Sequence, residues 1–224
     1  MRRRLVVVTG TGTSIGKTHF AEALILGWRR TARVVGLKPI ESGVVAGADS
    51  DGERLRAVSS FHVKRFGYAL TAPMSPHLAA RQENIEIRMD AIARRVEEIR
   101  QEAGGVVVEL PGGLFTPITD SACNVDLARI LTPDSVLLVA PDRLGVLHDV
   151  IATVRAASAA SVSIAGIVLM APEQGDPSTG HNADELSRTT DVSVLAVLPR
   201  GSPAQLSQLP AMTQLIEALA KQAD

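Results

Sequence analysis

Cysteine occurs once in the 224 residues, at Cys123, so the chain can form no internal disulfide and fits a reducing compartment. Aromatic residues make up only 3%, so any interface must rest on Leu, Val and Ala packing rather than on aromatic anchors. Neither sign of charge prevails. The 23 Lys and Arg against 24 Asp and Glu leave a net charge of −1, which excludes a strongly basic nucleic-acid binder and an extended acidic tail. Apolar stretches such as Ile164–Ala171 fall far short of the roughly 18–20 residues of a membrane span. Arg2–Arg4 ahead of Leu5–Val8 looks like a secretory start, but its apolar run is too short and no small-residue cleavage site follows. The expectation is a soluble, cytoplasmic globular chain with neither nucleic acid nor membrane as a partner.

Lysine is scarce as well. Only Lys17, Lys38, Lys64 and Lys221 stand beside 19 arginines. A chain that otherwise uses Arg keeps Lys where a compact, flexible ammonium is wanted. Lys64 and Lys221 read as solvated surface residues; the other two fall inside motifs.

Short β-branched runs alternate with longer helical patterns, the mark of a parallel sheet covered on both faces. Strands are predicted at Leu5–Thr9, Val34–Lys38, Val106–Leu110, Val136–Ala140, Ile164–Met170 and Ser193–Leu198. Helices are predicted at Lys17–Arg30, Asp51–Ser59, Ser75–Gln82, Met89–Glu102, Leu144–Ala157, Ala183–Thr189 and Ala211–Lys221. In Met89–Glu102, Met89, Ile92, Ala93, Val96 and Ile99 recur every three or four residues, one apolar stripe that needs only core packing to explain it. The loops Ser42–Ser50 and Glu173–His181 are polar and expected to be flexible. No linker or repeat divides the chain, so residues 1–224 read as one α/β domain with a mostly parallel central sheet and helices on both faces.

The first strand feeds into Gly10-Thr-Gly12-Thr13-Ser14-Ile15-Gly16-Lys17-Thr18, and a helical pattern follows. This is the phosphate-binding turn G-x-x-x-x-G-K-[ST] with its first glycine one position early, at Gly10. Such a loop wraps a polyphosphate with backbone N–H groups at a helix start. Lys17 would neutralise β/γ-phosphate charge, and the Thr18 hydroxyl would hold Mg²⁺. No Asn-Lys-x-Asp guanine reader occurs, and Thr11 and Gly12 stand where partitioning ATPases carry an extra lysine.

Lys38-Pro39 follows the second strand. Proline stiffens the strand exit and leaves Lys38 at a carboxyl strand end beside the phosphate turn. Alone this is an ordinary turn, but it stands in an ordered set. The set runs phosphate turn, Lys38-Pro-x-x-Ser42-Gly43, Ser75-Pro-His-Leu-Ala-Ala80, and Glu109-x-x-Gly112-Gly113-Leu-Phe-Thr-Pro117. Together these motifs resemble the dethiobiotin synthetases, from the first strand through Leu144-Gly145 and more weakly to Pro199. The acid that closes Val106-Val107-Val108 also has its own logic, since a carboxylate there is costly to bury without a partner.

The resemblance implies a P-loop fold and an ATP- and Mg²⁺-dependent ring closure. One amine of 7,8-diaminononanoate takes up CO₂ as a carbamate, ATP phosphorylates it, and the second amine closes the cyclic urea. It implies catalytic roles for Lys38, Lys17 and Thr13, and metal ligation by Thr18, Asp51 and Glu109; Asp51 in isolation fits a helix N-cap or first-turn acid. It implies nucleotide contacts from Gly12, Thr13, Ser14, Ile15, Gly16, Lys17, Thr18, Asp51, Glu109, Met170 and the Pro199-Arg200-Gly201 turn. Thr13, Lys38, Ser42 and Gly112 would line the substrate. In a homodimer, Leu144, Gly145, Val146, Leu147 and His148 would receive the substrate carboxylate of the neighbouring subunit, as a helix start can.

Four departures from the family pattern bear on specificity. Leu110-Pro111 replaces Gly-Ala in the Glu109 loop, and proline removes a donor there. Gly12 and Ser14 stand where the family often has acids. Met170 replaces a base-reading asparagine, and a thioether identifies no base. His148 replaces an asparagine. Two alternatives stay open: a nucleotide-switch ATPase, and a diverged ATP-dependent ligase on the same scaffold.

Overall fold

Branched apolar residues run almost unbroken through Val6-Val7-Val8, Val106-Val107-Val108 and Val136-Leu137-Leu138-Val139, as strands buried on both faces require. The computed structural model describes residues 3–47, 49–64 and 66–221. Arg2 of the short basic run and Ala48 of the Ser42–Ser50 loop lie outside the described residues. The strands are β1 (Arg4–Gly10), β2 (Val34–Leu37), β3 (Ile40–Ser42), β4 (Tyr68–Leu70), β5 (Gly105–Glu109), β6 (Ser135–Pro141), β7 (Gly166–Met170) and β8 (Val194–Leu198). The helices are α1 (Lys17–Trp28), α2 (Asp51–Val58), α3 (Pro76–Gln82), α4 (Met89–Glu102), α5 (Asn124–Leu131), α6 (Val146–Ala159), α7 (Asn182–Thr189), α8 (Pro203–Leu206) and α9 (Pro210–Lys221).

Six strands form one sheet in the order β2-β5-β1-β6-β7-β8, and every pairing in it is parallel. Alternation along β1 divides the core. Val6 and Val8 face Phe20, Leu24 and Trp28 of α1 with Met212 and Leu215 of α9. Leu5 and Val7 face the opposite layer, where Ile92, Val96 and Ile99 of α4 join Leu127 of α5 and Val150 of α6. Because all six strands run the same way, Gly10, Leu37, Glu109, Pro141, Met170 and Leu198 end at one edge, where open α/β sheets bind ligands.

Every predicted strand and helix is present, with ends displaced by a few residues at most. β3, β4, α5 and α8 are additional. β3 and β4 pair as a small parallel sheet of three residues each, too short for a period to register. α5 starts after Cys123, whose N–H donates to Asp126 Oδ2 at 2.9 Å, a start without the usual Ser, Thr or Asn signal. Glu173–His181, expected to be flexible, is instead pinned: Asn182 and Gly180 donate to the buried Asp142 carboxylate at 2.7 and 2.9 Å, and Leu144 N–H donates to Asp176 at 2.8 Å.

Asn124, fully buried at the start of α5, donates to the carbonyls of Pro111 and Gly113 and so fastens the loop after β5. Asn124→Ala should cost about 2–4 kcal/mol, since two buried acceptors lose their donor. Denaturant unfolding measures this directly, and a loss below about 1 kcal/mol would mean that the loop's own backbone holds it.

Candidate active site

The turn after β1 is shaped by two glycines. A side chain at Gly10 would lie 2.4 Å from Ile15 Cδ1 and 3.2 Å from the Val139 carbonyl, which explains why the first glycine sits here. Gly16 caps α1 in the left-handed region at φ 93°, with Met170 packed against it. Lys17, first residue of α1, donates to the Gly12 carbonyl at 2.6 Å.

Beneath this turn three chain segments meet on one carboxylate. Glu109 ends β5 and is 1% exposed; its Oε1 accepts from Thr18 Oγ1 at 2.9 Å and from Lys38 Nζ at 2.8 Å. Lys38 follows β2 directly, rather than closing it as expected, and also donates to Asp51 Oδ2. Asp51 opens α2; Ser50, not Asp51, is the N-cap and accepts from Glu53 N–H. Glu109 Oε2 is buried and has no hydrogen-bond partner among the described residues.

Burial alone would lower the Lys38 ammonium, but Glu109 and Asp51 outweigh it and hold its pKa above the ordinary lysine value. Burial pushes Glu109 up, and Lys38 and Thr18 offset this only in part. Burial would raise Asp51 too; Lys38, Thr18 and Arg54 together bring it below the usual aspartate range. Lys17 has no such pairing, and burial lowers it to about 8. The cluster therefore keeps Lys38 charged and leaves Lys17 poised.

The Thr18 hydroxyl, Asp51 and the orphaned Glu109 oxygen form a hard-oxygen set of the kind Mg²⁺ takes together with phosphate oxygens and water. No cluster of three or more His, Cys, Asp or Glu side chains suited to a metal occurs among the described residues, so the threonine and a ligand's phosphates would have to complete the shell.

Two clefts flank the turn. One, of about 740 Å³, is lined by Thr13, Lys38, Ser42, Asp51, Pro111 and Gly112 together with Glu41, Met74 and Thr116. The other, of about 540 Å³, is lined by Thr13, Ser14, Ile15, Gly16 and Met170, by Gln174 and by Pro199, Arg200 and Gly201. Thr13 belongs to both. The turn is the wall between them, and the Lys17–Lys38–Glu109 cluster lies under it.

The family profile described as "AAA domain" matches residues 4–205. The ATP-dependent dethiobiotin synthetase of Anaeromyxobacter dehalogenans is 40% identical over 202 residues, covering 88% of this chain and 90% of that one. The chain belongs to the family of ATP-dependent dethiobiotin synthetases. The relative from Aromatoleum aromaticum is 35% identical over 93% of this chain and 96% of its own. Among solved structures, the ParA family ATPase of Chlorobium tepidum superposes with a TM-score of 0.56 at 14% identity, covering 99% of this chain and 95% of that one, a likeness of fold alone.

Most expected positions of this synthetase-family chain come together, and some do not. Lys17, Thr18, Lys38, Asp51 and Glu109 form the charged cluster; residues 13–16 of the loop, Ser42, Gly112, Met170, Pro199, Arg200 and Gly201 line the clefts, and Gly12 lines neither. Leu144, Gly145, Val146, Leu147 and His148 line neither cleft of their own chain. α6 begins at Val146, not Leu144, and Val146 is 1% exposed in the core, so its side chain is removed from any ligand. Leu144 and His148 face outward. Met170 is buried against Gly16 as a floor for the turn.

The sequence reading missed several residues. His19 Nε2 lies 2.6 Å from the Gly201 carbonyl and ties α1 to the turn after β8. Glu41, buried in the larger cleft, accepts from Gly52 N–H at 2.7 Å. Arg54 pairs with Glu22 at 2.5 Å. Only Arg54 carried a signal, its place three residues after Asp51 on a helix.

The poised Lys17 predicts a pH dependence. Opposite a polyphosphate the ammonium would be the binding form, and above about pH 8 the free protein holds it increasingly neutral. Nucleotide affinity should fall as pH rises through that value, with net proton uptake on binding. Calorimetry of ATP binding in buffers of different ionisation heat, at pH 7 and 9, checks this; no added uptake at the higher pH would contradict it.

Proposed function

We propose that the chain synthesises dethiobiotin from 7,8-diaminononanoate, CO₂ and ATP with Mg²⁺. The observation that carries this reading is Lys38, held by Glu109 and Asp51 in the lining of the larger cleft, which shares Thr13 of the loop wall with the smaller one. The base-side cleft suits the nucleotide, and the cleft containing Lys38 and Ser42 suits the diamine. One amine adds to CO₂ and releases a proton, giving a carbamate. The γ-phosphoryl group passes to a carbamate oxygen as ADP leaves, and the second amine then attacks the carbonyl carbon, closing the urea and expelling phosphate.

The chain's residues serve this sequence by placing positive charge where two anions must meet. Lys17 faces the β/γ-phosphates, and Lys38 faces the carbamate and the transferring group. Thr13, which lines both clefts, would stand where nucleotide and acceptor approach each other, and Ser42 would stand beside the diamine. Thr18, Asp51 and Glu109 would hold Mg²⁺, which supplies charge neutralisation on the phosphate oxygens. A homodimer would bring Leu144–His148 of one subunit to the other's larger cleft, where the outward-facing His148 and the backbone of the α6 start could take the substrate carboxylate. A cytoplasmic location fits a chain whose single cysteine can form no internal disulfide; no helix among the described residues is long and apolar enough to cross a membrane.

Phosphate release measured with and without diaminononanoate and bicarbonate tests the reading. Release should require both, and release indifferent to the diamine would sink the proposal in favour of a nucleotide switch. With Met170 in place of an amide, ATP, CTP and GTP should support turnover within about tenfold of one another, the worth of one base-reading hydrogen bond. A preference for ATP above about a hundredfold would assign base reading to another residue of that cleft. Mixing Lys38→Gln and His148→Asp protomers, each inactive alone, should restore part of the activity if sites are shared between subunits.

A further inference from the structure

Glu22 lies one helical turn beyond Thr18 on α1, and its side chain is 9% exposed. A buried carboxylate there needs a partner. Arg54 of α2 supplies two bonds, from Nε to Oε1 at 3.2 Å and from Nη2 to Oε2 at 2.5 Å, a forked grip that fixes the guanidinium plane. The remaining Nη1 is left 3.6 Å from Asp51 Oδ1. One guanidinium thus spans a carboxylate of the phosphate-loop helix and the carboxylate that opens α2.

The two oxygens of Asp51 have different partners. Oδ2 is bonded to Lys38, which is shared with Glu109 and lines the larger cleft. Oδ1 faces Arg54, which lines neither cleft. Asp51 is 40% exposed at the first residue of an eight-residue helix, so its rotamer depends on the polar groups around it, Lys38, Thr18 and Arg54. Lys38 and Thr18 are poor anchors by themselves, because the proposed phosphoryl transfer draws on the first and the cation on the second. We propose that Arg54, anchored by Glu22, is a positioning residue that holds Asp51 in register with Thr18 for the divalent cation. The inference rests on the reading of Asp51 as a metal ligand.

The test uses Mn²⁺ as the probe, titrated into the full chain with a non-hydrolysable ATP analogue while free Mn²⁺ is followed by electron paramagnetic resonance. Arg54→Met should weaken Mn²⁺ binding about tenfold, the usual effect of losing a group behind a metal ligand. Affinity for the analogue in EDTA should stay unchanged. In an Asp51→Asn background, Arg54→Met should add nothing further. An equal loss in that background, or a parallel loss of metal-free analogue affinity, would make Arg54 a mere clip between α1 and α2 and overturn the inference. If Asp51→Asn itself leaves Mn²⁺ binding intact, the metal reading falls and the inference with it. If Asp51→Asn weakens binding and Arg54→Met does not, only the inference falls. Should Arg54→Met not fold, Glu22→Gln, which keeps the guanidinium but loosens its anchor, carries the same comparison with a smaller, roughly threefold expected effect.

Discussion

A buried carboxylate, Glu109, is the constraint around which the rest of the site is arranged. It ends the strand beside β1, where the chain leaves the sheet's apolar interior and the phosphate turn closes over it. Left alone, a buried carboxylate would take up a proton or disrupt the fold. Here Thr18 donates from the phosphate-loop helix and Lys38 from the exit of β2, so two segments far apart in sequence are tied to a third. The same tie sets the charge state of the floor. Lys38 stays an ammonium because Glu109 and Asp51 hold it so, and Lys17, outside that grip, does not share its raised pKa.

The architecture supplies the geometry this constraint needs. An all-parallel sheet brings six strand ends to one edge, and β1 lies between β5 and β6 with its turn rising between the two clefts. The core that fixes the strands is almost wholly aliphatic, consistent with the scarcity of aromatic residues. Loops at the functional edge are held by specific polar side chains instead: Asn124 grips the turn after β5, Asp142 and Asp176 pin the stretch before α7, and His19 holds the turn after β8.

Much of this could be read before any coordinates, for reasons that differ by residue. The phosphate turn is contiguous and its context is local, so strand, glycines, Lys17 and Thr18 were legible together. Glu109 was legible because an acid at the end of a valine run contradicts its surroundings. Lys38 and Asp51 were read through an ordered set of motifs. Pairings between distant segments were not legible. Glu22 and Arg54 are 32 positions apart; Glu22 alone reads as a solvated helix charge, and Arg54 signals only its neighbour Asp51 on the same helix. Asn124 opens a helix whose start lacks the usual cap, and the three-residue strands that carry Ser42 are too short to declare a period. Val146 was read as part of a ligand-facing segment because a motif names positions, whereas burial depends on which way a helix turns.

The loop wall that both clefts share at Thr13 has a kinetic consequence. If the nucleotide enters beside Met170 and the acceptor beside Ser42, as proposed, each has its own cleft and neither would have to pass the other. On the proposed assignment, access by itself would impose no order of addition of nucleotide and acceptor.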